Sequence, residues 1–372
     1  MFFSKSRSVT FLKVSKPLIF LLSVGIVFFA CAPMDVDNIQ PFQYIIKDFD
    51  GKITLGIANK KKPALTDFEP GGIELPPATL ELVEDILTAI LRDNLKDENE
   101  NILQDFAFLR DPVAMDNRLK DIDVNDIDNI LDTTIPLEDI FADIFFLVED
   151  VPGLFRYLPT YIPPKIDGII FNFYDIPPKV KGRIIPVLLN DYDPSKLVAV
   201  NSSLVTPCAV AVDAAYNVAL GNLILESERQ IAEAGIFYDG IRVEIADIKN
   251  DRFDYLSDTL QGSIDELRRL GIAINIASEN LLREGKINEE IYYGIKLFMV
   301  AFLVKSRQNL IMFNDTVIAA IEKIADEDIE RVNQAYNDFL DDLEDLFGEA
   351  MQDLNGIRNS ALNNCHNQGG GS

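Results

Sequence analysis

Cysteine and histidine, which often act as nucleophiles, general bases or metal ligands, are scarce in this sequence. It has three cysteines, Cys31, Cys208 and Cys365, and one histidine, His366, which precedes a C-terminal run of glycines. A single histidine excludes internal histidine-based catalytic triads and metal sites with several histidines. The sequence contains no G-x-x-x-x-G-K-[ST], G-x-S-x-G or H-E-x-x-H motif. We therefore predict no enzyme activity and no cofactor.

One run of acidic residues has spacing that suits calcium. Asp121, Asp123 and Asn125 resemble the start of an EF-hand loop, and Asp132 lies twelve positions along. The sixth position is Asp126, where the loop needs glycine for its turn. The same run is explained by an acid-rich helix or turn with a buried apolar stripe. We keep these four residues as a weak calcium candidate and assign no metal site.

The net charge of the chain limits the classes of molecule that it is expected to bind. The chain of 372 residues has 34 basic and 60 acidic residues, a net charge of −26. Nucleic acid is bound by surfaces rich in Lys and Arg, so we expect no nucleic-acid partner. Apolar residues make up 48% of the chain, and its length allows two domains with hydrophobic cores.

The first thirty residues are typical of an export signal. Residues 1–16 contain four basic residues and no acid, and 18–30 form an unbroken apolar run. A basic stretch before a short apolar run predicts a signal peptide over 1–30, with a retained membrane anchor as the alternative.

The end of this run, Phe28-Phe29-Ala30-Cys31, resembles the lipobox of bacterial lipoproteins in a relaxed form. The resemblance implies cleavage before Cys31, a lipid on its thiol and a tether over 31–40. Ala32 is similar to an outer-membrane sorting signal. Removing residues 1–30 takes away four basic and no acidic residues, which changes the net charge from −26 to −30. The resemblance thus implies a body held at the bacterial cell envelope but repelled by anionic headgroups.

Proline divides the mature chain. All 18 prolines lie at or before Pro207, and 208–372 contain none. Proline is costly inside helices, so we place a domain boundary at about residue 205. Residues 41–205 are predicted to form a mixed α+β domain. Its signals are a hairpin around Asp50-Gly51, helices over 77–95 and 136–149, and β-segments over 165–174 and 183–189.

Residues 206–365 are predicted to be long antiparallel helices. Apolar residues repeat every seven positions, and Gly285 interrupts the pattern, with Asn288 as a cap for the helix that follows. The heptad phase slips near Asn250 and Asp326. Four packed helices or a two-armed hairpin fit these slips, and we favour four because they bury more apolar surface. The last residues, 366–372, are a flexible tail. The fold class is therefore mostly α, a long bundle or hairpin after a smaller α+β domain.

The remaining cysteines are predicted to form a disulfide. Cys208 and Cys365 lie at similar distances on either side of Gly285, so antiparallel helices bring them to one end. Export places them in an oxidising compartment.

The most apolar stretch of the mature chain is 291–304, just after the Gly285 turn. It is explained as the core of a bundle end or as a concealed tip that binds a membrane or partner. Together these features predict a lipid-anchored structural or interaction protein of the cell envelope: a scaffold, adhesin or assembly component with a protein partner. The alternatives are a membrane-acting helical protein that exposes 291–304, and an envelope module that binds a ligand or calcium.

Overall fold

The structure, a computed structural model, describes residues 42–43, 47–51, 53–92, 94–109, 115–172 and 206–367. Four predictions lie outside the described residues: the signal peptide, the tether with Cys31 as its lipidation site, the boundary near 205 and the β-segment over 183–189.

Short elements come first along the described chain, and two long helices follow. The strands are β1 (Phe68–Glu69), β2 (Gly72–Glu74), β3 (Thr160–Ile162), β4 (Lys165–Ile166) and β5 (Ile169–Ile170). The short helices are α1 (Pro77–Arg92), α2 (Asp97–Phe108), α3 (Met115–Lys120), α4 (Val124–Leu131), α5 (Asp139–Glu149) and α6 (Pro152–Phe155). The long helices are α7 (Pro207–Arg283) and α8 (Glu289–Asn367), which pack antiparallel. The predicted fold class is confirmed.

Contacts divide the chain into two compact units. The terminal unit comprises Met1–Gly56, Pro194–Glu226 and Phe347–Ser372, and the central unit comprises Ile57–Asp193 and Ser227–Leu346. Both long helices contribute residues to each unit.

The prediction of four helices is wrong, because neither phase slip breaks its helix. α7 continues through Asn250 and α8 through Asp326. On the Gly285 side of the slips, the long helices pack against segments of the N-terminal region. Leu256, Phe313, Val317 and Ile321 pack with Phe68 and Tyr161 of the N-terminal segments. Closer to Gly285, residues of both long helices pack against the short helices. The N-terminal region thus covers apolar surface that a four-helix bundle would have buried between its own helices.

The turn between the long helices has the predicted chemistry. Gly285 has φ +69°, a conformation that glycine adopts without strain. The Lys286 N–H donates to the Leu281 carbonyl at 2.9 Å, and the Gly285 N–H to the Leu282 carbonyl at 3.0 Å, the pattern of a Schellman cap. Asn288 Oδ1 accepts from the Ile291 N–H at 2.8 Å and so caps α8.

The strands form two small antiparallel sheets, with order β1-β4-β5 in one and β2-β3 in the other. β4 and β5 are joined by Asp167-Gly168, both with positive φ, as a tight hairpin requires. Within 165–174, therefore, the structure shows a hairpin where the sequence predicted one β-segment. The predicted helices over 77–95 and 136–149 correspond to α1 and α5.

The predicted hairpin around Asp50-Gly51 is wrong, since the described residues between 42 and 58 contain no strand. In the central unit the following segment, 57–67, is extended and bonds to helix side chains instead of a second strand. The Ala58 N–H donates to Gln230 Oε1 at 3.1 Å, and the Asn59 N–H to Asp342 Oδ2 at 3.0 Å. We call residues 57–67 the strap.

The far end of the strap is held by a buried carboxylate. Asp328 Oδ1 accepts from the Thr66 N–H at 3.1 Å and from Thr66 Oγ1 at 2.6 Å. Arg331 donates to Thr66 Oγ1 at 2.9 Å, and Arg252 donates to the Thr66 carbonyl at 3.1 Å. These contacts satisfy backbone groups of the strap that no sheet satisfies.

Candidate functional site

The two cysteines predicted to pair are at disulfide distance. Cys208, in the first turn of α7, is bonded to Cys365, near the end of α8, and their Cα atoms lie 5.9 Å apart. Both belong to the terminal unit. Nearby, Tyr216 Oη and Asn355 Oδ1 are 3.1 Å apart, and Arg358 donates to Asp213 at 2.9 Å. The bond closes a separation of 157 residues and serves as a covalent tie between the helices.

The calcium candidates act as capping groups. Asp123 is the N-cap of α4: its Oδ1 accepts from the Asn125 N–H at 2.7 Å and from the Asp126 N–H at 3.0 Å. Asp126 returns a bond to the Asp123 N–H at 3.0 Å, which completes a capping box. Arg118 also bonds to Asp126 and lowers the pKa of that carboxyl.

The other two calcium candidates, Asp132 and Asp121, do not take part in this N-cap. Asp132 accepts from the Thr134 N–H and hydroxyl, and these bonds lower the pKa of Asp132. Asp121 is exposed on the turn before α4. The described residues contain no group of three or more His, Cys, Asp or Glu side chains arranged to hold a metal ion. The acids therefore explain how α4 begins and ends.

The apolar stretch 291–304 is buried at every position. Phe298 packs edge-on against Phe106 of α2, with ring centroids 5.5 Å apart. Gly294 lies so close to α2 that an added Cβ would overlap the Leu103 carbonyl oxygen. This stretch belongs to the large core of the central unit. Exposing it to a membrane would require the short helices to leave α8.

That core also contains one charged side chain of the apolar stretch, Lys296. Lys296 is fully buried, and its Nζ lies 3.2 Å from Glu279 Oε1 and bonds to Asn275 Oδ1. Burial lowers the pKa of Lys296, and the Glu279 carboxylate opposes that shift. The lysine thereby fixes the register between α8 and α7 in the central unit.

A shallow cavity of about 510 Å³ lies where α1 ends and α2 begins, and the buried carboxylate of Asp85 is in its wall. That carboxylate accepts from the Lys96 N–H at 2.8 Å and from Asn99 Nδ2 at 3.2 Å. Its oxygens thus join the two helices, which gives Asp85 a structural role.

The feature that the sequence reading missed is an exposed apolar face on α7 in the terminal unit. Val210, Val218 and Leu225 are 53%, 66% and 64% exposed. At 3.6 residues per turn, Ala214, Val218, Gly221 and Leu225 lie within about 60° of one another. We call Val210, Ala214, Val218, Gly221 and Leu225 the outer face of α7.

The opposite side of the same segment is buried. It consists of Cys208, Val212, Tyr216, Leu220 and Leu223. α7 is also the one helix in the described residues that is long and apolar enough to cross a membrane. Its most apolar 18-residue stretch has a mean hydropathy of 1.5, and 28% of that stretch is buried. The signal was available in the sequence, because 207–225 has a single charged residue and has apolar residues on two opposite sides of the helix instead of along one stripe.

Comparison with known proteins identifies no relative of this chain. No family model, no curated protein and no solved structure matches the chain. Conclusions about function therefore rest on the chain's own residues.

Proposed function

We propose that this chain is a lipid-anchored structural or interaction protein of the bacterial cell envelope, a scaffold, adhesin or assembly component that presents its long helices to a protein partner. The observation that supports this most directly is the outer face of α7. The proposal assigns no catalytic step and no cofactor to the chain.

Exposure of these side chains to water is unfavourable. Burying a Val or Leu side chain completely contributes about 1.5–3 kcal/mol, so three side chains that are more than half exposed leave several kcal/mol of gross stabilisation to a partner. A soluble helix is normally apolar only on the side that faces its own core. The outer face lies opposite that side, which is the arrangement expected of a surface that another molecule covers.

Charge favours a protein partner over a membrane. Between Pro207 and Leu225 the one charged residue is Asp213, which bonds to Arg358. Helices that lie in a membrane interface are typically flanked by Lys and Arg, which attract anionic headgroups. This segment has neither residue, and the chain as a whole is acidic.

The envelope location is supported by the sequence alone. The basic start, the apolar run and the lipobox-like Cys31 are the features of a lipoprotein signal. Intact mass spectrometry of chain extracted from native membranes tests it. We expect a mature start at Cys31 with added acyl groups, and a water-soluble chain that begins at Met1 would contradict the proposal.

The partner is tested by a photo-crosslinking amino acid at Val218 in the full chain in its native membranes. We expect a protein adduct of defined mass. The matched control places the same amino acid at Gln352, an exposed position of α8 in the terminal unit. Excess wild-type chain should suppress the Val218 adduct, and excess Val218→Glu chain should not. Lipid adducts, equal adducts at both positions or no adduct would contradict the proposal.

A further inference from the structure

We propose that the outer face of α7 binds a second copy of this chain, with the two copies of the helix antiparallel. The inference deepens the proposed function and rests on it: it names the partner of the same face. Its observations are the spacing of the face, the sizes of its side chains and the distribution of charge around it.

The spacing is that of a heptad seam. Ala214, Val218, Gly221 and Leu225 follow one another at intervals of four, three and four residues. This alternation places successive residues at the d and a positions that meet a partner helix in a coiled coil. The seam extends over eleven residue steps, about 17 Å at 1.5 Å per residue. It therefore fits a second helix and not an extended peptide.

The side-chain sizes suit an antiparallel copy of the same seam. When two such helices pair about a two-fold axis between Val218 and Gly221, each a position meets a d position of the other copy. Leu225 then faces Ala214, and Val218 faces Gly221. Every one of the four layers joins a larger side chain to a small one, which lets layers interdigitate without voids. A parallel pairing would place Leu225 on Leu225 and Gly221 on Gly221.

This pairing is isologous, so each copy supplies the same surface and the assembly closes at two copies. A Cβ added at Gly221 would meet nothing within 4 Å in the single chain, so the space there is open. That space is available to the Val218 side chain of the other copy.

Charge points to this face as the place where two copies meet. Two chains of net charge −26 repel one another across most of their surface. The segment 207–225 has Asp213 as its one charged residue, and Arg358 binds it. Four layers bury less than the roughly 800 Å² per partner of a stable interface. We therefore expect weak, reversible pairing that depends on the density of chains in a membrane.

The test uses two variants of the full chain in native membranes that each add one cysteine, Ala214→Cys and Leu225→Cys, under mild oxidation. Antiparallel pairing places residue 214 of one copy beside residue 225 of the other, and like residues about 17 Å apart. We expect the mixture of the two variants to form at least tenfold more covalent dimer than either variant alone. Wild-type chain and Gln352→Cys provide the background from native cysteines.

Other results have distinct meanings. Covalent dimer from each variant alone, and none from the mixture, would overturn the antiparallel arrangement. No covalent dimer in any combination would overturn the second copy. Adding Gly221→Glu to both variants should abolish the mixed dimer while leaving the helix content unchanged, because the space around Gly221 is open in the single chain.

The Val218 photo-adduct separates this inference from the proposed function. An adduct of twice the chain's mass supports both. A protein adduct of another mass leaves the proposed function standing and overturns the second copy. The absence of any protein adduct overturns both.

Discussion

At the scale of single residues, several side chains have roles that depend on one close neighbour. Asp123 and Asp126 accept the three backbone hydrogen bonds of a helix cap, and Lys296 is buried beside Asn275 and Glu279. The sequence shows the type of each residue, but its role depends on a contact. For Asp123 and Asp126 the contact lies within one helical turn, and for Lys296 it joins two helices. Two predictions belong to this scale.

The first concerns the close approach of α8 to α2 in the central unit. We expect Gly294→Ala to lower the free energy of unfolding by about 1–3 kcal/mol or more, because the new Cβ overlaps the Leu103 carbonyl and backbone must move. Urea denaturation followed by circular dichroism measures the change. The matched control is Gly262→Ala in α7, where a Cβ meets nothing within 4 Å and alanine should stabilise the helix by about 0.5–1 kcal/mol. Equal effects of the two variants would contradict the packing.

The second concerns the pH dependence of stability. Burial, with the nearby charge of Glu279, raises the pKa of Tyr292 to about 12 from its usual value of 10.0. The folded chain then holds the proton more tightly than the unfolded chain, so this contribution to stability is complete below pH 10 and is lost as pH rises towards 12. We expect stability to fall across that window, and Tyr292→Phe to reduce the slope. A slope in Tyr292→Phe equal to that of the wild type would contradict this prediction.

At the scale of elements, partners decide what a segment becomes. The strap has extended backbone, and its N–H groups bond to Gln230, Asp342 and Asp328 of the long helices. Two ion pairs accompany them, Lys60 with Glu233 at 3.4 Å and Lys62 with Glu244 at 2.6 Å. Exposed ion pairs contribute little, so we attribute the position of the strap mainly to the buried Asp328 contact.

We therefore expect Asp328→Ala to destabilise the chain by about 2–3 kcal/mol, because it leaves the buried Thr66 N–H without its acceptor. The strap contains Lys60, Lys61 and Lys62, so limited trypsin digestion should cut there faster in the variant. Asp326→Ala, which changes an exposed carboxylate two residues away on the same helix, is the control and should digest like the wild type. Unchanged cleavage in Asp328→Ala would show that other contacts hold the strap.

At the scale of the whole molecule, two properties act over the length of the sequence. The net charge of −26 opposes association wherever acidic side chains face one another. The disulfide joins residues 157 positions apart and restricts the unfolded chain more than a short-range bond would. Both were read from the sequence, the charge by counting and the disulfide from the distances to Gly285.

Replacing both Cys208 and Cys365 with alanine should lower the stability of the terminal unit. The loop-entropy model sets an upper value of about 4–5 kcal/mol for so long a separation. We expect faster hydrogen exchange of the amides over 209–225, measured by mass spectrometry, and a smaller change in the core around 291–304. The wild-type chain, which keeps the bond, is the reference. Equal exchange with and without the bond would show that packing alone holds the helix ends.

The sequence by itself determined the helical character of 206–365, the turn at Gly285 with its Asn288 cap, and the pairing of Cys208 with Cys365. These depend on periodicity, capping and equal distances along the chain, which are properties of residues close in sequence or of simple antiparallel geometry. It also predicted α1 and α5 from apolar spacing.

Only the tertiary structure decided whether the phase slips break the helices, where the strap lies, and which apolar surface stays uncovered. Residues 291–304 and 207–225 are both strongly apolar in sequence, yet the short helices bury the first, and the described residues leave the outer face of the second exposed. Burial depends on which distant segments arrive at a surface. Local sequence patterns contain no information on that competition, because many pairings satisfy the same apolar stripe equally well.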